Sequence, residues 1–183
     1  MTAATELAKA GLTTSVISAG HSLFEVDYEA YKRLGGNLFM GDCVTGGEFE
    51  ADRLIAVRTA NLGDYSLEAD DFIIATGKFL GKGLVADMDC VYEPLFGLDT
   101  SYLDDRVQWF SRSFADPQPF LSFGVKTDGC SRPSVSGRTI SNLYAAGELL
   151  EGVTSVGEGA ETAIRETAMK VVGIIKEKHN ARA

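Results

Sequence analysis

Apolar positions near the carboxyl end of the chain recur with a helical step. Ala160, Ala163, Ile164, Ala168, Val171, Val172 and Ile175 advance by 3, 1, 4, 3, 1 and 3 residues, which predicts an amphipathic helix over 157–176. The run Phe72-Ile73-Ile74-Ala75 has no polar alternation, so it suits a strand covered on both faces of a parallel sheet. Residues 2–10 read as a short helix stopped by Gly11, and 12–18 as a strand ending at Ala19-Gly20. Helix, glycine and strand make the latter half of a βαβ unit. A second helix over 26–34 carries Tyr28, Tyr31 and Leu34 on one side and ends at Gly35-Gly36. Three β segments follow, Asn37–Met40, Val44–Glu50 and Arg53–Thr59, with Gly46-Gly47 suited to a hairpin turn or bulge. The stretch 37–70 is therefore expected to be a β-meander inserted in a single domain, 1–183. Residues 77–101 read as a long glycine-rich loop, 104–110 as a helical turn started by Asp104-Asp105, and 122–127 and 142–146 as strands. Pro117 and Pro119 break the chain between them, and 180–183 read as a frayed tail. The expected class is α/β.

Composition removes several functions. Lysine and arginine total 17 against 26 aspartates and glutamates, a formal net charge of −9. Such a surface does not suit a phosphate-lined nucleic-acid groove or an anionic membrane, so no nucleic-acid partner is expected. Cys43, Cys90 and Cys130 lie far apart, and neither His21 nor His179 completes a ligand set with them. No metal site is expected, and the thiols suit a reducing, cytoplasmic compartment. No run approaches the ~18 apolar residues of a membrane span.

Three places could carry chemistry. The first is Asn142-Leu143-Tyr144-Ala145-Ala146-Gly147-Glu148, followed by Gly157-Glu158-Gly159-Ala160 at the start of the long helix. A strand ends at Gly147, and the helix then opens with small residues that leave its first N–H groups accessible. Those groups carry partial positive charge and suit an anion or an electron-rich carbonyl, such as the edge of a reduced isoalloxazine. A glycine-rich turn before a core helix fits the same residues. The second is Ala75-Thr76-Gly77 after the apolar run, a strand end of the kind beside which ligands sit in open α/β sheets, or an ordinary turn. Lys78 next to it could neutralise a cofactor or substrate oxygen, or be a solvated surface lysine. The third is Arg132, after Phe123-Gly124-Val125-Lys126-Thr127-Asp128, which could hold a phosphate or carboxylate or form a surface ion pair. The pair Asp70-Asp71 reads as a solvated strand start. No residue is identified as a catalytic acid or base.

At these residues the sequence resembles a known family. Ala75-Thr76-Gly77 and Asn142-Leu143-Tyr144-Ala145-Ala146-Gly147-Glu148 look like the two flavin-side motifs of flavoproteins with a Rossmann-like FAD/NAD(P)-binding fold. The stretches 72–84, Glu93-Pro94-Leu95-Phe96-Gly97-Leu98-Asp99, Pro117-Gln118-Pro119-Phe120 and 123–133 together resemble the B-subunit of anaerobic glycerol-3-phosphate dehydrogenase. The resemblance covers about 30–178. It implies a flavin-binding subunit, with FMN or FAD held by Ala75, Thr76, Gly77, Lys78, Gly147, Glu148, Gly157, Glu158, Gly159 and Ala160. The reaction implied is oxidation of sn-glycerol 3-phosphate to dihydroxyacetone phosphate, with electrons passed to a quinone. The partners implied are a catalytic flavoprotein subunit and an iron–sulfur subunit that anchors the complex peripherally on the inner membrane.

Two departures accompany the resemblance. No G-x-G-x-x-G occurs in the chain, so the first strand and its glycine loop are expected to be missing, as is a middle segment between about Ser22 and Val26. The strand ending Ser18-Ala19-Gly20 also lacks the acidic residue that grips an adenosine ribose, which FMN would not need. Two further functions stay open. One is another FAD-dependent oxidoreductase of the fumarate reductase-like group. The other is a flavin-free interaction fragment, able to form a homodimer through open sheet edges.

Overall fold

The computed structural model describes residues 1–19 and 25–182. His21, Ser22 and the proposed junction lie outside them. Helix α1, Thr2–Lys9, closes with Gly11 at φ +83. Gly11 N–H donates to Ala8 and Leu12 N–H to Leu7, the paired bonds of a Schellman stop. Helix α2, Glu25–Arg33, closes the same way, with Gly35 N–H on Lys32 and Gly36 N–H on Tyr31. Gly36 has no room for a side chain, because a Cβ there would stand 2.2 Å from the Tyr31 ring. Both glycine stops read from the sequence are therefore real helix ends. Strand β1, Ser15–Ser18, pairs in parallel with β2, Asn37–Met40, with Ser15 opposite Asn37.

That pairing takes β2 away from the meander. The antiparallel meander consists of β3, Val44–Glu50, β4, Arg53–Thr59, and β5, Ser66–Glu68. Register shifts at Val44/Gly46 and Glu48/Phe49 mark irregularities where bulges were expected near Gly46-Gly47. Strand β6, Phe72–Ile74, follows directly and pairs in parallel with β13, Leu143–Ala145.

The 77–101 segment is not a continuous loop. It contains a hairpin of β7, Val85–Ala86, and β8, Val91–Tyr92, and ends in β9, Thr100–Ser101, which pairs with β10, Gly124–Val125. Of the expected 122–127 strand only Gly124–Val125 pairs as a strand, with Thr127 in an isolated bridge to Pro133, and Ser122 ends a 3-10 turn, Pro119–Ser122, with proline at its start. A second 3-10 turn, Arg106–Trp109, begins where the Asp105 carboxylate accepts from Val107 N–H, as the aspartate pair predicted. A last hairpin joins β11, Ser134–Val135, to β12, Arg138–Thr139. Ser136 (φ 51) and Gly137 (φ 76) make its two-residue turn, and both carry the positive φ that a twisted hairpin demands.

The β6–β13 pair separates two apolar clusters. Ile74, Leu143 and Ala145 face the larger one with Leu54, Leu84, Val125 and Leu149. Tyr144 and Ala146 face the smaller one with Leu7 of α1 and Val171, Val172 and Ile175 of α3, Ala160–Asn180. Alternate side chains of one strand thus enter opposite cores, as the unbroken apolar runs required. Helix α3 continues past the expected end at Lys176 to Asn180, the first residue of the expected frayed tail, because Asp71 holds its last turn. The Asp71 carboxylate accepts from the Lys178 ammonium and lies 3.1 Å from His179 Nε2. Asp71 is therefore a shielded anchor and not the solvated strand start it resembled.

Asn142 joins meander to parallel pair. Its carboxamide is fully buried, accepts from Leu54 N–H at 2.9 Å, and donates to Leu54 C=O at 2.8 Å and Asp70 C=O at 3.0 Å. Its backbone carbonyl accepts from Phe72 N–H at 2.9 Å. Replacing Asn142 with alanine removes the side-chain partner of both buried backbone groups of Leu54 and one of the two donors to the Asp70 carbonyl, which also accepts from Arg53. N142A is expected to lower unfolding free energy by about 3 kcal/mol or more, read by urea denaturation; a loss below about 1 kcal/mol would contradict this role.

Candidate functional site

Parallel pairing brings two chain reversals side by side. Ala145 lies opposite Ile74, so the chains leave β13 at Gly147-Glu148 and β6 at Thr76-Gly77 as neighbours. A Cβ placed on Gly77 would stand 2.8 Å from Glu148 Oε1, so the glycine lets the carboxylate close over its backbone. Ala75 and Thr76 are exposed, and Gly147 and Glu148 half-buried. The two strand ends therefore form one open mouth.

The loop leaving this mouth is wound back on itself. Gly83 N–H donates to Lys78 C=O at 2.9 Å, and Lys82 N–H to Phe79 C=O at 3.2 Å. A Cβ on Gly81 would stand 2.2 Å from Thr76 O, and one on Gly83 1.9 Å from Gly77 O. Lys78 is consequently turned inward and only 6% exposed, contrary to the reading of a solvated lysine. Its ammonium donates to Leu121 C=O. Burial pulls its pKa down to about 8, partly opposed by the Glu148 carboxylate.

Helix α3 reaches the same end of the strands. Thr167 Oγ1 accepts from Gly147 N–H at 2.7 Å at the carboxyl end of β13, while Lys178 holds Asp71 at the amino end of β6. The helix thus runs antiparallel to both strands. Its first residue, Ala160, lies seven residues before Thr167, about 10 Å further along the axis on the side of Gly77 and Glu148. Gly157, Glu158 and Gly159 are exposed, and no atom lies within 4 Å of a Cβ built on either glycine. Residues 75–78, 147–148 and 157–160 thus share one end of the sheet. Strand ends and loop touch; the helix start stands off from them.

Arg132 belongs elsewhere. Its guanidinium pairs with Asp128, Nε at 2.9 Å and a terminal nitrogen at 2.8 Å, and Asp128 also accepts from the N–H groups of Cys130 and Arg132. Asp128 thereby holds its proton below the usual carboxylate range despite partial burial. This is the ion-pair alternative for Arg132. Behind β13, burial pushes the Tyr144 phenol up, with Asp71 adding to the shift. The lysine's inward turn and the Asp71 anchor gave no sequence signal, since both arise from partners more than forty residues away. Among the described residues, no cluster of His, Cys, Asp and Glu could hold a metal ion, and no helix is long and apolar enough to cross a membrane.

Comparison with known proteins shows the family to which the chain belongs. A family model for the FAD binding domain matches residues 28–163, which includes both strand ends and the start of α3. Proteins named as the B-subunit of anaerobic glycerol-3-phosphate dehydrogenase are similar to the chain. One from Vibrio vulnificus (strain YJ016) is 40% identical over 144 residues, 77% of this chain and 33% of that protein. One from Aliivibrio fischeri (strain MJ11) is 40% identical over 157 residues, 79% of this chain and 34% of that protein. The chain spans about a third of the length of these curated relatives.

Lys78 makes a prediction about pH. Its folded pKa lies below that of a free lysine, so above about pH 8 the unfolded chain holds one proton more than the folded chain. Stability of the ligand-free chain is expected to rise from pH 8 to about 10, before the tyrosines titrate. A chemical-denaturation series against pH reads this slope, and a flat or falling series would contradict a buried ammonium.

Proposed function

The chain belongs to the FAD binding domain family, and from that premise we propose that it is the flavin-contacting part of a glycerol-3-phosphate dehydrogenase flavoprotein subunit. The observation that carries the reading is the convergence of the β6 end, the β13 end and the α3 start at one end of the sheet. Open α/β sheets bind ligands outside the carboxyl ends of their strands. In this reading the β6–β13 pair and α3 are the flavin side of a Rossmann-like fold.

The residues present fit a flat, electron-rich group. Exposed Ala75 and Thr76 leave space beyond β6. Gly157 and Gly159, at φ 105 and 79, present bare backbone with nothing within 4 Å of a Cβ position. The first N–H groups of α3 carry partial positive charge toward that space. Glu148, beside Gly77, offers an acceptor for hydroxyl groups. A bound flavin supplies acceptance of two electrons. The chain's own groups position it, and substrate proton transfer is assigned to none of them. FMN and FAD both present such a flat, electron-rich group, and the family model that matches the chain is one for an FAD binding domain.

The relatives are named as subunits of an anaerobic glycerol-3-phosphate dehydrogenase, and the reaction we propose is oxidation of glycerol 3-phosphate to dihydroxyacetone phosphate, with electrons passed onward to a quinone. The partners proposed are a catalytic flavoprotein subunit and an iron–sulfur subunit, with membrane association through the latter.

Titration of the chain with FMN and with FAD, followed by flavin fluorescence and the visible flavin bands, tests the core of this proposal. Saturable binding of one of them is expected. Ala75→Trp, at an exposed position, is expected to leave the melting temperature nearly unchanged and weaken flavin binding at least tenfold. Failure of both flavins to bind at millimolar concentration would favour the flavin-free interaction fragment.

A further inference from the structure

Lys78 carries a charge that the protein itself satisfies only in part. Alone among the described lysines and arginines it is buried, at 6% exposure. An ammonium has three donors, and among the described residues the Leu121 carbonyl is its single hydrogen-bond acceptor. Glu148 acts on it at longer range and forms no ion pair with it. A buried charge so sparsely partnered is costly and persists only where another group completes it.

We infer that Lys78 receives an anionic oxygen of the ligand bound at the mouth formed by β6, β13 and the start of α3. The inference rests on reading that mouth as a ligand site. Three observations point the same way. The position is rigid, because the 77–84 loop is wound so tightly that Gly81 and Gly83 have no room for a Cβ. The two segments that the ammonium joins are also held by their next residues, since the rings of Phe79 and Phe120 meet edge to face 6.0 Å apart. The helix start across the mouth bears Glu158 and Glu161 and no basic side chain in its first turn, so it offers only its partial charge. Among residues 75–78, 147–148 and 157–160, Lys78 is the one that carries a positive charge.

Two sources present such an oxygen: the pyrimidine edge of a reduced flavin, and the phosphate of a phosphorylated substrate. Both are tested on the whole chain with K78M, an apolar replacement of similar length, and with K78Q. Inorganic phosphate is added in a thermal-melt series, FMN and FAD are titrated by fluorescence, and the midpoint potential of bound flavin is measured.

Without ligand, K78M is expected to melt at or above the wild type, because the uncompensated charge is gone. If the oxygen belongs to phosphate, phosphate raises the wild-type melting temperature and its affinity falls at least tenfold in K78M and K78Q. If it belongs to flavin, phosphate does nothing and the variants bind reduced flavin at least tenfold more weakly, with a lower midpoint potential. Equal flavin affinity and equal potential in all three proteins, with phosphate inert, overturns the inference and leaves flavin binding standing. Absence of flavin binding to the wild type overturns the flavin reading, and a Lys78-dependent phosphate effect then still supports the inference while its absence overturns that too. Variants that melt well below the wild type yet keep its affinities assign Lys78 to holding Leu121, which also overturns it.

Discussion

One carboxamide sets the register on which the site depends. Asn142 grips both backbone groups of Leu54 in the meander and the Asp70 carbonyl before β6, while its own carbonyl accepts from Phe72. With those four bonds made, Leu143 can only lie opposite Phe72, and Ala145 opposite Ile74. A slip of one residue would turn Tyr144 and Ala146 into the larger core and Leu143 and Ala145 against α3. It would also carry Gly147 and Glu148 away from Gly77. An apolar residue in place of Asn142 could fill the volume, but it could not answer the backbone groups of Leu54 near the start of β4 and of Asp70 before β6.

Much of this architecture could be read along the chain. The segments Asn37–Met40, Val44–Glu50 and Arg53–Thr59 are strands with the expected bounds, and the helical step of 160–175 corresponds to α3. These elements are long enough, or apolar enough, for periodicity to show. The two-residue strands Val85–Ala86 and Thr100–Ser101 are too short to express a period and are defined by their partners, Val91–Tyr92 in a local hairpin and the more distant Gly124–Val125. The same limit hid which strands belong together. Asn37–Met40 stands next in sequence to the meander, yet it pairs with β1 in parallel. For the mouth itself, both strand ends were legible as small residues following apolar runs. The inward turn of Lys78 was not, because lysine at a loop is usually solvated and only the crowding at Gly81 and Gly83 forces it inside.

The acidic composition has a local explanation as well as a global one. Between β6 and β13 the chain has little regular secondary structure, so its backbone N–H groups need other acceptors. Carboxylates supply them. Glu93, only 2% exposed, accepts from Leu95, Phe96 and Leu98. Asp99 accepts from Ser136 and Gly137 N–H and from the Ser134 hydroxyl, which holds its pKa down. Asp128 does the same for its own turn. These acids fix the turns at 93–98, 134–137 and 128–132. Part of the net negative charge is thus a scaffold for loops and not a surface for partners.

The glycines separate into two groups, and the division bears on which side of the mouth faces a ligand. At Gly81, Gly83 and Gly124 the space for a side chain is already filled by backbone within 2.5 Å. These residues are small because the fold closes on them. At Gly157 and Gly159 nothing lies within 4 Å, so packing gives no reason for their size. Their φ values of 105 and 79 give one reason, since the chain must reverse there before α3 begins. Yet that reversal is exposed, and the helix it starts is fixed far from it, by Thr167 at Gly147 and by Lys178 at Asp71. A helix clamped at its middle and end does not need a bare, precisely placed beginning for its own stability. On the proposed reading, the open space between Gly157, Gly159 and the strand ends is where a flavin would approach from outside.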